Sequence, residues 1–195
     1  TVVKRGGRDE RVRPSLVLYD STLLRTLPLE QAIPSIFNAL AHAVEALWAP
    51  GCAPLSRMAA MESIEVAFRS LPRLKADPSD PEAVDQLLYC AYLAGQALDS
   101  EEMALQHRLA HVLGGSFHLP HAATHMAILP HVIAYNSDAL PADLAHRLRT
   151  CDVAGAFFDL MAELVGPARH AVLEAQAGEA GERDVTDSCM VSLLS

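Results

Sequence analysis

After residue 20, apolar positions recur every three or four residues along most of the chain, the period of amphipathic helices. The segment LEQAIPSIFNALAHAVEALWA follows Pro28 and is closed by Pro50-Gly51, so it predicts a long first helix, with Pro34 as its regular start or a kink. A second helix is predicted over 54–70, ending ahead of Pro72. The DPSDPEA segment reads as a linker in which Asp80 caps a third helix, PEAVDQLLYCAYLAGQAL, with Pro81 in its first position. A fourth helix carries EEMALQHRLAHVL up to Gly114-Gly115, read as a loop. A fifth covers 120–135, and two more lie at 142–149 and 153–165. Residues 1–20 and the last twenty break the period. In the former, VVK, a Gly6-Gly7 turn and the alternating RPSLVLYD predict a short β-hairpin. The expected fold is therefore an all-α helical bundle over 21–175, preceded by an N-terminal β-hairpin over 1–20 and followed by a loose tail over 176–195.

Composition narrows the function classes. With 195 residues, 51% hydrophobic content and a formal charge of −9, the sequence describes one acidic globular domain with a sizeable core. That charge argues against nucleic acid as a partner, which needs a clustered basic surface. The basic opening TVVKRGGRDERVR is read as a solvated end. Four scattered cysteines without a C-x-x-C pair, no signal peptide and no membrane-length apolar run predict a reduced, cytoplasmic protein, with Cys90 as a small core residue.

Candidate chemistry is concentrated in LQHRLAHVLGGSFHLPHAATH, which holds five of the nine histidines. His107/His111 and His121/His125 are spaced four apart, so each pair shares a helix face, as do Asn38 and His42 on the first long helix. Singly, a buried imidazole is better explained as a hydrogen-bonded structural residue. Three polar faces in apolar helices are costly unless they converge, so the set predicts a shared site. Such a site suits Zn²⁺ or Fe²⁺ ligation by neutral imidazoles, or acid–base work near neutral pH.

The segments RDERVRPSLVLYD, IFNALAHAVEALW, LYCAYLAGQAL and LQHRLAHVLGGSFHLPHAATHMAILPHVIAYN resemble maleylacetate reductases, in the iron-containing alcohol dehydrogenase group related to dehydroquinate synthase. The H-x3-H-x9-H spacing of His107, His111 and His121 is the most specific element, and the resemblance covers roughly 1–165. It implies a dehydroquinate synthase-like helical domain without the nucleotide-binding domain that the family places before it. It implies a metal set at Asn38, His42, His107 and His121, with His111 beside nicotinamide and substrate. Metal-dependent relatives carry aspartate where this chain has Asn38, so the implied oxygen ligand is weak. Ile36 stands where the family has glycine, and Ala123 replaces an acidic residue; both speak against a working nicotinamide site.

From these features the sequence predicts a stand-alone helical domain repurposed for a non-redox transformation (cyclisation, dehydration or isomerisation) of an oxo or enol substrate. Thr1 is what removal of an initiator methionine leaves, and the tail departs from the family pattern after about Gly166, which favours this reading. His111, His107 and His42 are the predicted catalytic residues. Phe37, Asn38, His121 and His125 are the predicted substrate contacts, and His42, His107 and His121 the metal ligands if zinc or iron binds. No NAD(P)H site, nucleic acid or membrane is expected; a small-molecule substrate and a homodimer are. The alternatives are a truncated NAD(P)H-dependent reductase, and a non-catalytic scaffold whose histidines are structural.

Overall fold

The computed structural model describes residues 11, 14–24, 26–98, 104–150 and 152–165. These form helices α1 (Ser21–Leu24), α2 (Leu29–Trp48), α3 (Pro54–Ala76), α4 (Pro81–Leu98), α5 (Leu105–Phe117), α6 (His121–Tyr135), α7 (Ala142–Arg147) and α8 (Val153–Val165), with a 3₁₀ turn at Ser137–Ala139. Helix α2 lies at the centre and packs on α3, α4 and α6; α5 packs on α6, and α8 covers α6 and the end of α3. The core joins Phe37, Leu40, Val44 and Leu47 of α2 to Ile64 and Leu71 of α3, Leu87 of α4, Leu129 and Ile133 of α6, and Phe157 and Met161 of α8. Buried alanines at 41, 43, 60, 67, 94 and 97 let these helix axes approach closely.

The all-α class holds among the described residues, and the N-terminal hairpin does not. Its first arm lies outside the described residues, and 14–20 contain no strand. Leu16, Val17 and Leu18 are mostly exposed, so alternation supplied β propensity without a second strand to complete a ladder.

Two helix ends also move. Helix α3 runs through Pro72 to Ala76 because Leu71 and Leu74 are both buried, and that burial offsets the ~3 kcal/mol cost of an interior proline. Helix α5 runs through Gly114-Gly115, read as a loop in the sequence, to Phe117. The cap of α4 is as expected: Asp80 Oδ1 accepts the backbone N–H groups of Glu82 and Ala83 at 3.0 and 3.1 Å. Cys90 is fully buried without a disulfide, its thiol pushed up to about 11 by burial. The 176–195 tail lies outside the described residues. Among those described, no helix is long and apolar enough to cross a membrane.

Candidate functional site

Helix α2 has a second, polar stripe. At roughly 100° per residue, Asn38, His42 and Glu45 fall within roughly 60° of one another, facing α5 and α6. The N-cap position of α5, Ala104, offers no side-chain cap. Glu45 of α2 supplies it from outside: Oε1 accepts the backbone N–H groups of Gln106 at 2.7 Å and His107 at 3.3 Å, and Oε2 that of Ala104 at 3.4 Å. A carboxylate there satisfies orphan donors and the positive end of the helix dipole. Glu45 Oε2 also meets His107 Nδ1 at 2.5 Å, with both residues buried.

From His107 the imidazoles form a continuous row. His107 Nε2 lies 3.1 Å from His42 Nε2, with the rings stacked at 3.9 Å. On its other side His107 meets His125 at 4.5 Å between centroids, His125 meets His121 at 4.5 Å, and His121 meets His111 at 5.5 Å. Gln106 fixes the middle of the row. Its Nε2 donates to the His125 carbonyl at 3.1 Å and lies 3.2 Å from His125 Nδ1. The carbonyl demands a donor, so the amide orientation is set, Nδ1 accepts, and the neutral His125 proton sits on Nε2. Four buried polar atoms in this region have no hydrogen-bond partner among the described residues: Asn38 Oδ1, His42 Nδ1, Gln106 Oε1 and His125 Nε2. Burial first, then the neighbouring imidazoles, pushes His42 and His125 down to about 3, so both stay neutral in the folded protein at physiological pH.

The outer end of the row opens into a cavity of about 360 Å³ lined by Ala110, His111, Gly114, Gly115, His118, Leu119 and His121. That volume lies in the range of small-molecule sites. The two glycines, costly inside a helix, leave the α5 wall of this cavity bare of side chains. His118 ends α5 in the left-handed region, at φ 55° and ψ 33°, where glycine or asparagine is usual. A histidine held there, on a cavity wall, marks a place where local stability yields to something else.

The structure thus brings His42, His107, His111, His121 and His125 into one row, but only His111 and His121 line the cavity. Phe37, a predicted substrate contact, is fully buried in the hydrophobic core; it stands roughly 100° around α2 from Asn38. His125 is also fully buried, between His107 and His121, and does not line this cavity. Ile36, expected to crowd a cofactor, lines a separate apolar cavity of about 200 Å³ with Leu24, Leu27, Leu29, Leu74 and Leu87. Sequence reasoning missed Glu45, Gln106 and His118. Glu45 was legible as a carboxylate one turn beyond His42 in an otherwise apolar helix, and Gln106 as the polar neighbour of His107. His118 carried no signal beyond its place after the glycines.

Among the described residues, no three His, Cys, Asp or Glu side chains group to hold a metal. The further oxygen on the α2 stripe, Asn38 Oδ1, belongs to a neutral amide.

Residues 32–188 match the Fe-containing alcohol dehydrogenase family, C-terminal. The match continues past Gly166, where the sequence reading placed the departure from that pattern. The chain is 48% identical over 139 residues to maleylacetate reductase of Sphingobium indicum, covering 71% of this chain and 40% of that protein. It is 50% identical over 141 residues to maleylacetate reductase 2 of Cupriavidus pinatubonensis, covering 72% and 39%. Among solved structures, maleylacetate reductase from Agrobacterium tumefaciens superposes with a TM-score of 0.82 at 35% identity, over 95% of this chain and 55% of that one. The chain spans less than half the length of these curated relatives.

Proposed function

The chain belongs to the iron-containing alcohol dehydrogenase family, and from that premise we propose that its described residues form the substrate-binding and proton-handling part of a reductase of the maleylacetate type. One observation carries the reading: an unbroken imidazole row runs from an open cavity to a buried carboxylate, Glu45. Reduction of an unsaturated or carbonyl substrate needs a hydride and a proton. A nicotinamide cofactor, set aside on the sequence, returns in this proposal as the hydride source. The described residues offer it no glycine-rich dinucleotide turn, since Gly114-Gly115 lies inside a helix. What this chain supplies is the rest. His111, exposed on the cavity wall, delivers the proton; His121 and His118 bind the substrate's oxygens; and the buried imidazoles behind them hold these rings in place. The truncated-reductase alternative fits the names of the relatives at least as well as a non-redox reading, and no observation supports the latter.

The test is a titration of the protein with maleylacetate, following the histidine ring resonances by NMR. Saturable shifts centred on His111 and His121, abolished for ligand binding in His111→Ala, are the expected result. Shifts that do not saturate, or that leave these two rings unmoved, would overturn the proposal.

A further inference from the structure

Near its C-terminal end α5 carries two consecutive glycines that the fold itself does not require. Glycine is ordinarily kept for a positive φ, or because another atom stands where its Cβ would be. Neither reason holds here. Among the described glycines the positive φ belongs to Gly51, and Gly114 and Gly115 both lie within the helix. A Cβ on Gly115 would meet no atom within 4 Å beyond its own stretch of helix. One on Gly114 would meet the Leu119 carbonyl oxygen at 3.6 Å, an ordinary contact. Alanine, the best helix former, would therefore fit at both places, which are held by one of the worst. Both glycines line the cavity at the outer end of the histidine row. Spaced three and four residues from His111 and from His118, they share one face of α5 with these two histidines, which line the cavity as well. Between the two imidazoles the wall is bare backbone.

We propose that Gly114 and Gly115 are specificity-determining residues, kept so that the carbon chain of the substrate lies directly on the α5 backbone between His111 and His118. The space that two Cβ atoms would take is reserved for the ligand. The chain it accommodates is flat where it crosses the glycines, as an unsaturated chain is, and a branched or puckered one is turned away by the backbone. That the ligand is the substrate of a reductase rests on the proposed function. That the glycines serve a ligand and not the fold does not.

The experiment sets Gly114→Ala and Gly115→Ala beside a control, Gly95→Ala. Gly95 lies within α4, has equally open space around its missing Cβ, and is not part of this cavity. Each protein is melted without ligand and titrated calorimetrically with maleylacetate. All three substitutions should raise the melting temperature, by about 1–4 °C, because each replaces a helical glycine where alanine fits. The two cavity variants should bind maleylacetate about tenfold more weakly or worse, the usual cost of one surplus carbon in a fitted pocket. Gly95→Ala should bind as the unmodified protein does. A Gly115→Ala protein that binds as tightly as the unmodified one would overturn the proposal. So would a fall in its melting temperature, since the glycine would then be a requirement of the fold. Failure of the unmodified protein itself to bind maleylacetate is a separate outcome, and would overturn the reductase reading together with the placement of its substrate on this wall.

Discussion

The two faces of α2 meet different surroundings. One buries Phe37, Leu40, Val44 and Leu47 among the side chains of α3, α4, α6 and α8. Even the polar group there is satisfied: Ser63 Oγ donates to the Cys90 carbonyl at 2.9 Å. The other face carries Asn38, His42 and Glu45 into a region with four buried polar atoms that lack partners among the described residues. One helix thus holds a face arranged for stability beside one that gives stability up, and the second leads to the cavity. Unmet hydrogen-bonding capacity that a fold retains locates a site more sharply than the presence of histidines does.

The strongest way to separate the faces is pH. His42 and His125 are held at about 3 in the folded protein against an ordinary 6.5. Above about 6.5 both states are neutral and the full stability is present. As pH falls toward 3 only the unfolded chain gains these protons, so stability is lost. The slope should correspond to about two protons taken up on unfolding, and by pH 4.5 the loss should approach ~5 kcal/mol as an upper figure. Urea unfolding from pH 7 to 4.5 checks it; a flat profile would break the contrast. Next in size, Phe37→Ala on the apolar face should cost about 3–5 kcal/mol and leave maleylacetate binding by the remaining folded protein unchanged. A pure binding defect would restore Phe37 to the site.

Smaller effects sharpen the picture. Ser63→Ala should cost about 1 kcal/mol by denaturant titration, since the hydroxyl's bond is lost while its acceptor sits within a helix. On the proposed function, His111→Ala should lower turnover by roughly 10²–10⁴-fold, with a loss of stability well below that of Phe37→Ala because the residue is exposed. Thermal melting beside a rate measurement separates it from a structural histidine.

The same geometry explains what the sequence could and could not convey. Helical period and the Asp80-Pro81 cap were legible because they are local. The convergence of the imidazoles was legible because i,i+4 spacing places pairs on one face. Phe37 and Ile36 lie away from Asn38 because one or two residues along a helix is roughly 100° or 200° around it. That puts Phe37 in the hydrophobic core and Ile36 on the separate apolar cavity. The role of Glu45 depends on an α5 start reached from 59 or more positions away, which no local pattern encodes. The strand pattern of 14–20 failed for the complementary reason, since a strand exists only with a partner.

The central claim, which rests on the proposed function, is that Asn38 on the polar stripe of α2 is kept for a ligand and not for the fold, whereas Glu45 of the same stripe serves the fold as the cap of α5. Asn38→Leu tests it most directly, by removing a buried acceptor that has no partner among the described residues and filling its space with an apolar side chain. Measured by urea unfolding without ligand, the variant should be more stable than the unmodified protein, by roughly 0.5–2 kcal/mol. A loss of stability of similar size would mean that Asn38 serves the fold, and would contradict the account.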